Sequence, residues 1–137
     1  MKPIGTGNVL NVAEPRYLLD TNILVYLASD PSPELVARVE REEEYLATST
    51  LCVAEAMAGD RSDEEIGALM NLLRVIRPIA FDLPSAEAIR GVHYKRRRID
   101  RFIAAHALAF GLTVVTNNIR DFSDVPGLRV ENWVEAE

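Results

Sequence analysis

The chain has 137 residues, 48% of them apolar and 26% charged, with a net charge of −6. Those values describe one globular domain able to bury a core, and they exclude a disordered or fibrous chain. The longest apolar run, Ile23–Ala28, is far shorter than the roughly 20 residues that span a bilayer. The acidic balance argues against coating nucleic acid through bulk charge. One cysteine, Cys52, excludes an internal disulfide and a cysteine-cluster zinc site. Residues 1–15 lack a continuous apolar stretch and do not read as a secretory signal, so a reducing, cytoplasmic setting is expected.

In chain order, residues 1–15 mix Gly, Asn and Pro without a period and are expected to be a flexible lead-in to a single domain over 16–137. Tyr17-Leu18-Leu19 predicts a buried strand at Arg16–Asp20, followed by a helix over Asn22–Ala28. Ser32-Pro33-Glu34 carries the N-cap and first-turn residues of a second helix, drawn to Glu44. A strand at Tyr45–Ser49 precedes a helix from Thr50 to Gly59. Ser62-Asp63-Glu64-Glu65 is a capping box ahead of Ile66, Leu69, Met70 and Leu73 at helical spacing. Val75–Phe81 reads as a strand that Pro78 weakens, and Ser85–Tyr94 as a helix. Ile99–Phe110 is a helix closed by Gly111, Leu112–Thr116 a strand rich in β-branched residues, and Ile119–Phe122 a turn. A short strand at Leu128–Val130 is followed by Trp133 as a terminal anchor. Strands alternate with helices throughout, which predicts an α/β fold on a mostly parallel sheet.

In such sheets ligands bind beyond the carboxyl ends of the strands. Asp20 closes the first strand, Glu55 lies in the helix after the second, and Asp121 follows the strand ending at Thr116. Asp100 opens the Ile99–Phe110 helix, whose Ile103-Ala104-Ala105 lets it lie close to the sheet. Each acid alone has an ordinary reading as a cap, a turn residue, a solvated side chain or an ion-pair partner of nearby arginines. Together they would repel one another unless a cation joined them, and an all-oxygen set favours Mg²⁺ or Mn²⁺ over zinc. Phosphodiester hydrolysis needs what such an ion supplies. In that chemistry Asp20 and Asp100 are the direct metal ligands, and Glu55 and Asp121 hold bound waters or a second ion. Asn22, Thr116 and Asn118 bind phosphate or orient the ligands.

The same residues form ordered motifs. Leu18–Leu24, Ser49–Glu55 with Gly59, Asp100–Ala107, and Thr116–Phe122 with Val125–Leu128 together resemble the four motifs of PIN-domain nucleases, most closely the VapC toxins of toxin–antitoxin pairs. The resemblance runs from about Tyr17 to Trp133. It implies a three-layer α/β/α sandwich with four or five strands, and an RNA-cleaving site that uses Mg²⁺ or Mn²⁺ at Asp20, Glu55, Asp100 and Asp121. It also implies a cognate antitoxin protein, and a homodimer that enters a larger toxin–antitoxin assembly. We expect the inhibitor to insert an arginine among the carboxylates, with apolar positions such as Leu24, Leu27 and Val36 either receiving its helix or serving as core or a homodimer contact. Three features depart from the pattern. Sixteen residues precede Tyr17, a basic run Lys95–Arg98 stands in place of a glycine-containing turn before Asp100, and Asn118 sits where some relatives carry an acid. The fourth acidic position is therefore Asp121 or is absent.

Arg96, Arg97 and Arg98 read either as a solvated surface turn or as a strip that positions phosphates beside the acidic site. Cys52 and His106 read as structural, and His93 as a surface residue. Two other functions compete: a non-catalytic RNA- or protein-binding module on the same fold, and an aspartate-based phosphotransfer domain. The second is disfavoured because Asp20-Thr21-Asn22 lacks the second aspartate, and neither lysine, Lys2 or Lys95, follows a late strand.

Overall fold

A computed structural model describes residues 13–92 and 98–134 of the chain. Its strands are β1 (Tyr17–Leu19), β2 (Leu46–Ser49), β3 (Arg77–Ile79), β4 (Thr113–Val115) and β5 (Val130–Glu131). Its α-helices are α1 (Thr21–Ser29), α2 (Pro33–Arg41), α3 (Thr50–Ala58), α4 (Asp63–Leu72), α5 (Leu83–Glu87) and α6 (Arg98–Phe110). All strand pairs are parallel, in the order β3-β2-β1-β4-β5. This is the α/β fold with a central parallel sheet that the sequence predicts.

The sheet is short and fully covered. Leu18, Leu19, Ala47, Val114 and Val115 have no solvent exposure although successive side chains point to opposite faces. Both faces therefore carry helices, as parallel sheets require. The core continues through Ile23, Leu24, Leu35, Ile103 and Phe122. Leu24 belongs to that core, so it is not the docking position the sequence suggested; its place on the inner face of α1 buries it completely. The chain runs outward from β1 through β2 to the β3 edge, then returns to the other side of β1 for β4. The strand order thus reverses between β1 and β4, and the crevice at their carboxyl ends is where such sheets bind ligands.

Local chemistry explains where elements begin and end. Ser32 Oγ accepts from Leu35 N at 3.2 Å, and Ser62 and Glu65 form the reciprocal capping box at 3.1 and 2.7 Å. α2 stops at Arg41 rather than Glu44, because acids at 42–44 are unfavourable at the negative end of a helix; Glu43–Tyr45 form one 3₁₀ turn instead. The helix read at Ser85–Tyr94 starts earlier, at Leu83, since Asp82 caps it by accepting from Ser85 N and Ser85 Oγ at 3.1 and 2.7 Å. It tightens into a 3₁₀ turn over Ala88–Gly91, where glycine and then β-branched Val92 end it; Tyr94 lies outside the described residues. β3 is only three residues, with Pro78 tolerated because this edge strand pairs with β2 alone. β5 sits slightly later than read, at Val130–Glu131, and Met70 is half exposed rather than core. Gly111 (φ 68°) ends α6, with Leu112 N bonding back to Ala107 O at 2.8 Å. The lead-in up to residue 12 and Lys95–Arg97 lie outside the described residues, as does His93.

Trp133 is the expected anchor. Its ring meets Tyr17 edge-on at 4.9 Å, the Arg38 guanidinium lies 4.3 Å over it, and its Nε1 donates to Glu131 Oε1 at 2.8 Å. One buried side chain thus ties the chain after β5 to the start of β1 and to α2. Trp133→Ala is expected to cost about 3 kcal/mol of unfolding free energy, read as a lower urea midpoint by far-ultraviolet circular dichroism, with the native spectrum retained in buffer.

Candidate active site

Asp20 sits at the carboxyl end of the central strand and caps α1. Its backbone N donates to Val115 O at 2.9 Å, which locks it to β4 across the switch point. The residue is 4% exposed; Oδ1 accepts from Thr21 N at 2.7 Å and Oδ2 from Thr116 Oγ1 at 2.9 Å. Burial raises its pKa above the ordinary aspartate value. The hydrogen bonds from Thr116 and Thr21 work against that rise, while the charges of Glu55 and Asp121 add to it.

The other acids arrive on separate elements. Glu55 is one and a half turns into α3, whose start is fixed by Ser49: its Oγ accepts from Leu51 N at 3.0 Å. Glu55 Oε1 accepts from the buried Thr21 hydroxyl at 2.5 Å, so α1 and α3 are joined beside Asp20. Asp121 closes the 3₁₀ turn Ile119–Asp121 beyond β4, and its Oδ2 accepts from Asn118 Nδ2 at 2.6 Å. Asn118 N in turn donates to Thr116 Oγ1 at 3.0 Å, the hydroxyl that serves Asp20. Asp100 is buried in the first turn of α6. Because α6 leads directly back into β4, its first turn lies at the carboxyl edge of the sheet, the edge that Asp20 and Asp121 share.

Asp20 thus feels the charges of Glu55 and Asp121, and Asp100 is at the same edge. Among the described residues no three Asp, Glu, His or Cys side chains close a cage on one point. The arrangement is a rim of oxygen donors along the carboxyl edge of the sheet. Such a rim suits a hard divalent cation that keeps much of its own water, as Mg²⁺ does. Thr116 and Asn118 orient carboxylates, one of the two roles read for them, and Asn22 is exposed at the start of α1. Arg96 and Arg97 lie outside the described residues.

Two residues that position the site were not singled out from sequence. Thr21 was hidden as the middle residue of Asp20-Thr21-Asn22, although its place at a strand-to-helix junction is a signal. Arg101 was read as one of the clustered basic residues and as one of the arginines that could pair with Asp100. It is 4% exposed, and its Nη2 donates to the Asp121 carbonyl and, at 3.1 Å, to Asp124 Oδ1. His106 is structural, as expected: fully buried, with Nδ1 2.8 Å from Ser49 Oγ and its ring against Phe81 and Phe110. Burial lowers its pKa, partly offset by Asp82 and the Ala80 backbone. Cys52 is also buried, and its thiol is pushed up to about 12.

Comparison with known proteins agrees with the fold. The family model described as PIN domain matches residues 17–128. The chain is 31% identical over 130 residues to "Ribonuclease VapC2" of Haemophilus influenzae, covering 87% of this chain and 98% of that protein. It is 28% identical to the "tRNA(fMet)-specific endonuclease VapC" of Salmonella typhimurium, over 86% of this chain and 98% of the relative. Among solved structures it resembles VapBC2 from Rickettsia felis bound to a DNA fragment from its promoter, with TM-score 0.77 and 26% identity over 85% of this chain and 98% of that one. DNA-bound VapBC from Salmonella typhimurium shares the fold at TM-score 0.80 and 23% identity, over 87% and 98% of the two chains.

The raised pKa of Asp20 has a stability consequence. The folded protein holds the Asp20 proton to higher pH than the unfolded chain does, so ionised Asp20 lowers stability at neutral pH and protonation on acidification relieves it. Asp20→Asn is therefore expected to raise the metal-free melting temperature by a few degrees at pH 7.5. The gain should shrink toward pH 4, in thermal melts with a chelator present. An unchanged or lower melting temperature at pH 7.5 would contradict the electrostatic reading.

Proposed function

The chain belongs to the PIN-domain family and, within it, to the VapC ribonucleases, and on that premise we propose that it cleaves RNA with Mg²⁺ or Mn²⁺ held by Asp20 and Asp100. As a VapC ribonuclease it is an endoribonuclease, a hydrolase, and the toxin member of a toxin–antitoxin pair. The observation that carries the metal reading is the burial of Asp20 at the carboxyl end of the central strand, with Glu55 and Asp121 adding repulsion to its charge. A cation at that crevice would relieve the repulsion, and the donors are all oxygen.

The residues divide the work. A divalent ion supplies activation of water and neutralisation of charge on the phosphoryl group. Asp20 and Asp100 are its direct ligands in this reading, with Glu55 and Asp121 holding bound waters or a second ion. Thr116 and Thr21 keep the Asp20 carboxylate fixed, and Thr21 also holds Glu55 toward the crevice. Asn118 orients Asp121. Arg96, Arg97 and Arg98 position backbone phosphates, which a protein of net charge −6 needs locally to retain a polyanion. Solved relatives such as the Rickettsia felis VapBC2 assembly contain an antitoxin, and we extend that partnership to this chain. An arginine from such a partner would satisfy two of the carboxylates and compete with the ion. Among the described residues no helix is long and apolar enough to cross a membrane.

Asp20→Asn is expected to abolish RNA cleavage while leaving the circular dichroism spectrum intact, and wild-type cleavage should vanish with chelator and return with Mg²⁺ or Mn²⁺. Wild-type activity in the variant, in preparations free of contaminating nuclease, would reject the assignment. RNA bound but never cut by the native chain at any divalent concentration would return the non-catalytic binding module.

Replacing Arg96, Arg97 and Arg98 together with Ala is expected to weaken RNA binding more than it slows cleavage of bound RNA. The slope of log affinity against log salt should fall by about one for each phosphate that the variant no longer neutralises. An unchanged slope would identify the run as solvated surface.

A further inference from the structure

We propose that Arg101 is a positioning residue of the nuclease site, a buried guanidinium that holds the turn carrying Asp121 against the first turn of α6, where Asp100 lies. The proposal rests on the functional reading above. Arginine is seldom this buried, because removing its charge from water is costly unless it is paired and hydrogen-bonded. At 4% exposure Arg101 has both kinds of partner across the sheet edge: the Asp121 backbone carbonyl, 20 residues on, and the Asp124 carboxylate at 3.1 Å. Asp124 is 41% exposed, so the pair is neutralised from the solvent side while the cation stays inside.

The geometry separates this role from helix packing alone. Arg101 grips Asp121 by its carbonyl, which leaves the carboxylate turned to Asn118. It follows Asp100 directly in the chain, so one side chain links two of the four acids contributed by distant segments. An apolar residue would fill the same volume, but it would neither grip the turn nor bring a fixed positive charge to an edge crowded with carboxylates. That charge does not leave when the ion does, so the site can hold its shape metal-free. Because Arg101 is buried, it does not reach RNA.

The test compares Arg101→Met, Arg101→Lys and Asp124→Asn in the full chain. Hydrogen exchange in chelator reads the turn without metal. Calorimetry with Mg²⁺ alone reads the ion site without RNA, and cleavage kinetics at saturating Mg²⁺ split kcat from KM. Arg101→Met is expected to speed exchange in residues 117–125 while β1 and β4 stay protected, and to weaken Mg²⁺ binding about tenfold, the size typical of losing a group that orients metal ligands. It should lower kcat with KM for RNA unchanged, and Arg101→Lys should recover part of the loss. Asp124→Asn, at an exposed position, should move all three readouts in the same direction by less, and it decides the matter if Arg101→Met does not fold. Wild-type exchange in 117–125 together with wild-type Mg²⁺ affinity in the folded variant would overturn the proposal. Failure of the native chain to bind Mg²⁺ would strike the functional reading instead, and the exchange measurement in chelator would still decide Arg101.

Discussion

Everything at the functional end of this molecule follows from placing a carboxylate where water cannot reach it. Asp20 ends the innermost of five parallel strands, 4% exposed, at the point where the strand order reverses. A charge there is costly unless hydrogen bonds to its oxygens or a nearby opposite charge compensate it. The hydrogen bonds come from Thr21 and Thr116, one on each side of the crevice. Glu55 and Asp121 worsen the electrostatics rather than easing them. Such a grouping is unfavourable as architecture and useful as a receptor for positive charge, whether a metal ion or an arginine from an inhibitor.

The surrounding fold restrains that grouping through polar links distinct from the hydrophobic core. Thr21 bridges to Glu55 at 2.5 Å, His106 meets the Ser49 cap that starts the Glu55 helix at 2.8 Å, and Arg101 fastens the Asp121 turn. Each link joins elements far apart in sequence; the His106–Ser49 contact is fully buried and the other two are partly so, where water competes less for a hydrogen bond than at the open surface. Small residues in α6, with Ala104, Ala105 and Ala107 fully buried, let that helix lie close to the sheet and bring Asp100 to the shared edge. The apolar interior and the Trp133 anchor offset what the crowded acids cost.

Basic charge is distributed with similar economy. The chain is acidic overall, yet Arg101 is buried within the acidic edge and the Lys95–Arg98 run ends three positions before it in sequence. An acidic body limits indiscriminate binding to nucleic acid, while a local basic run beside the site selects where a phosphate backbone can settle. One short stretch therefore carries Asp100, the buried Arg101 that bonds the 119–124 turn, and the basic run proposed to hold substrate.

The alternation of strands and helices, the helix caps at Ser32 and Ser62, the glycine that ends α6, and the four acids spread over four segments are all legible in the amino-acid order. They are legible because capping, periodicity and turn chemistry act over a few residues, and because a parallel sheet confines its ligand site to one edge. The family motifs are legible for the same reason, being short blocks around those edge positions. Folding in three dimensions was needed to show that Thr21 serves Glu55, that Thr116 serves Asp20, that Leu24 is core rather than docking surface, and that Arg101 reaches past its neighbour Asp100 to the 119–124 turn. It was also needed to place the ends of α2 and α5, since competing local signals at Glu42–Glu44 and Gly91 leave more than one boundary open. Partners 20 to 96 residues apart leave no periodic trace in the chain. Their pairing is fixed by which strand ends the topology sets side by side, and that information exists only once the sheet has formed.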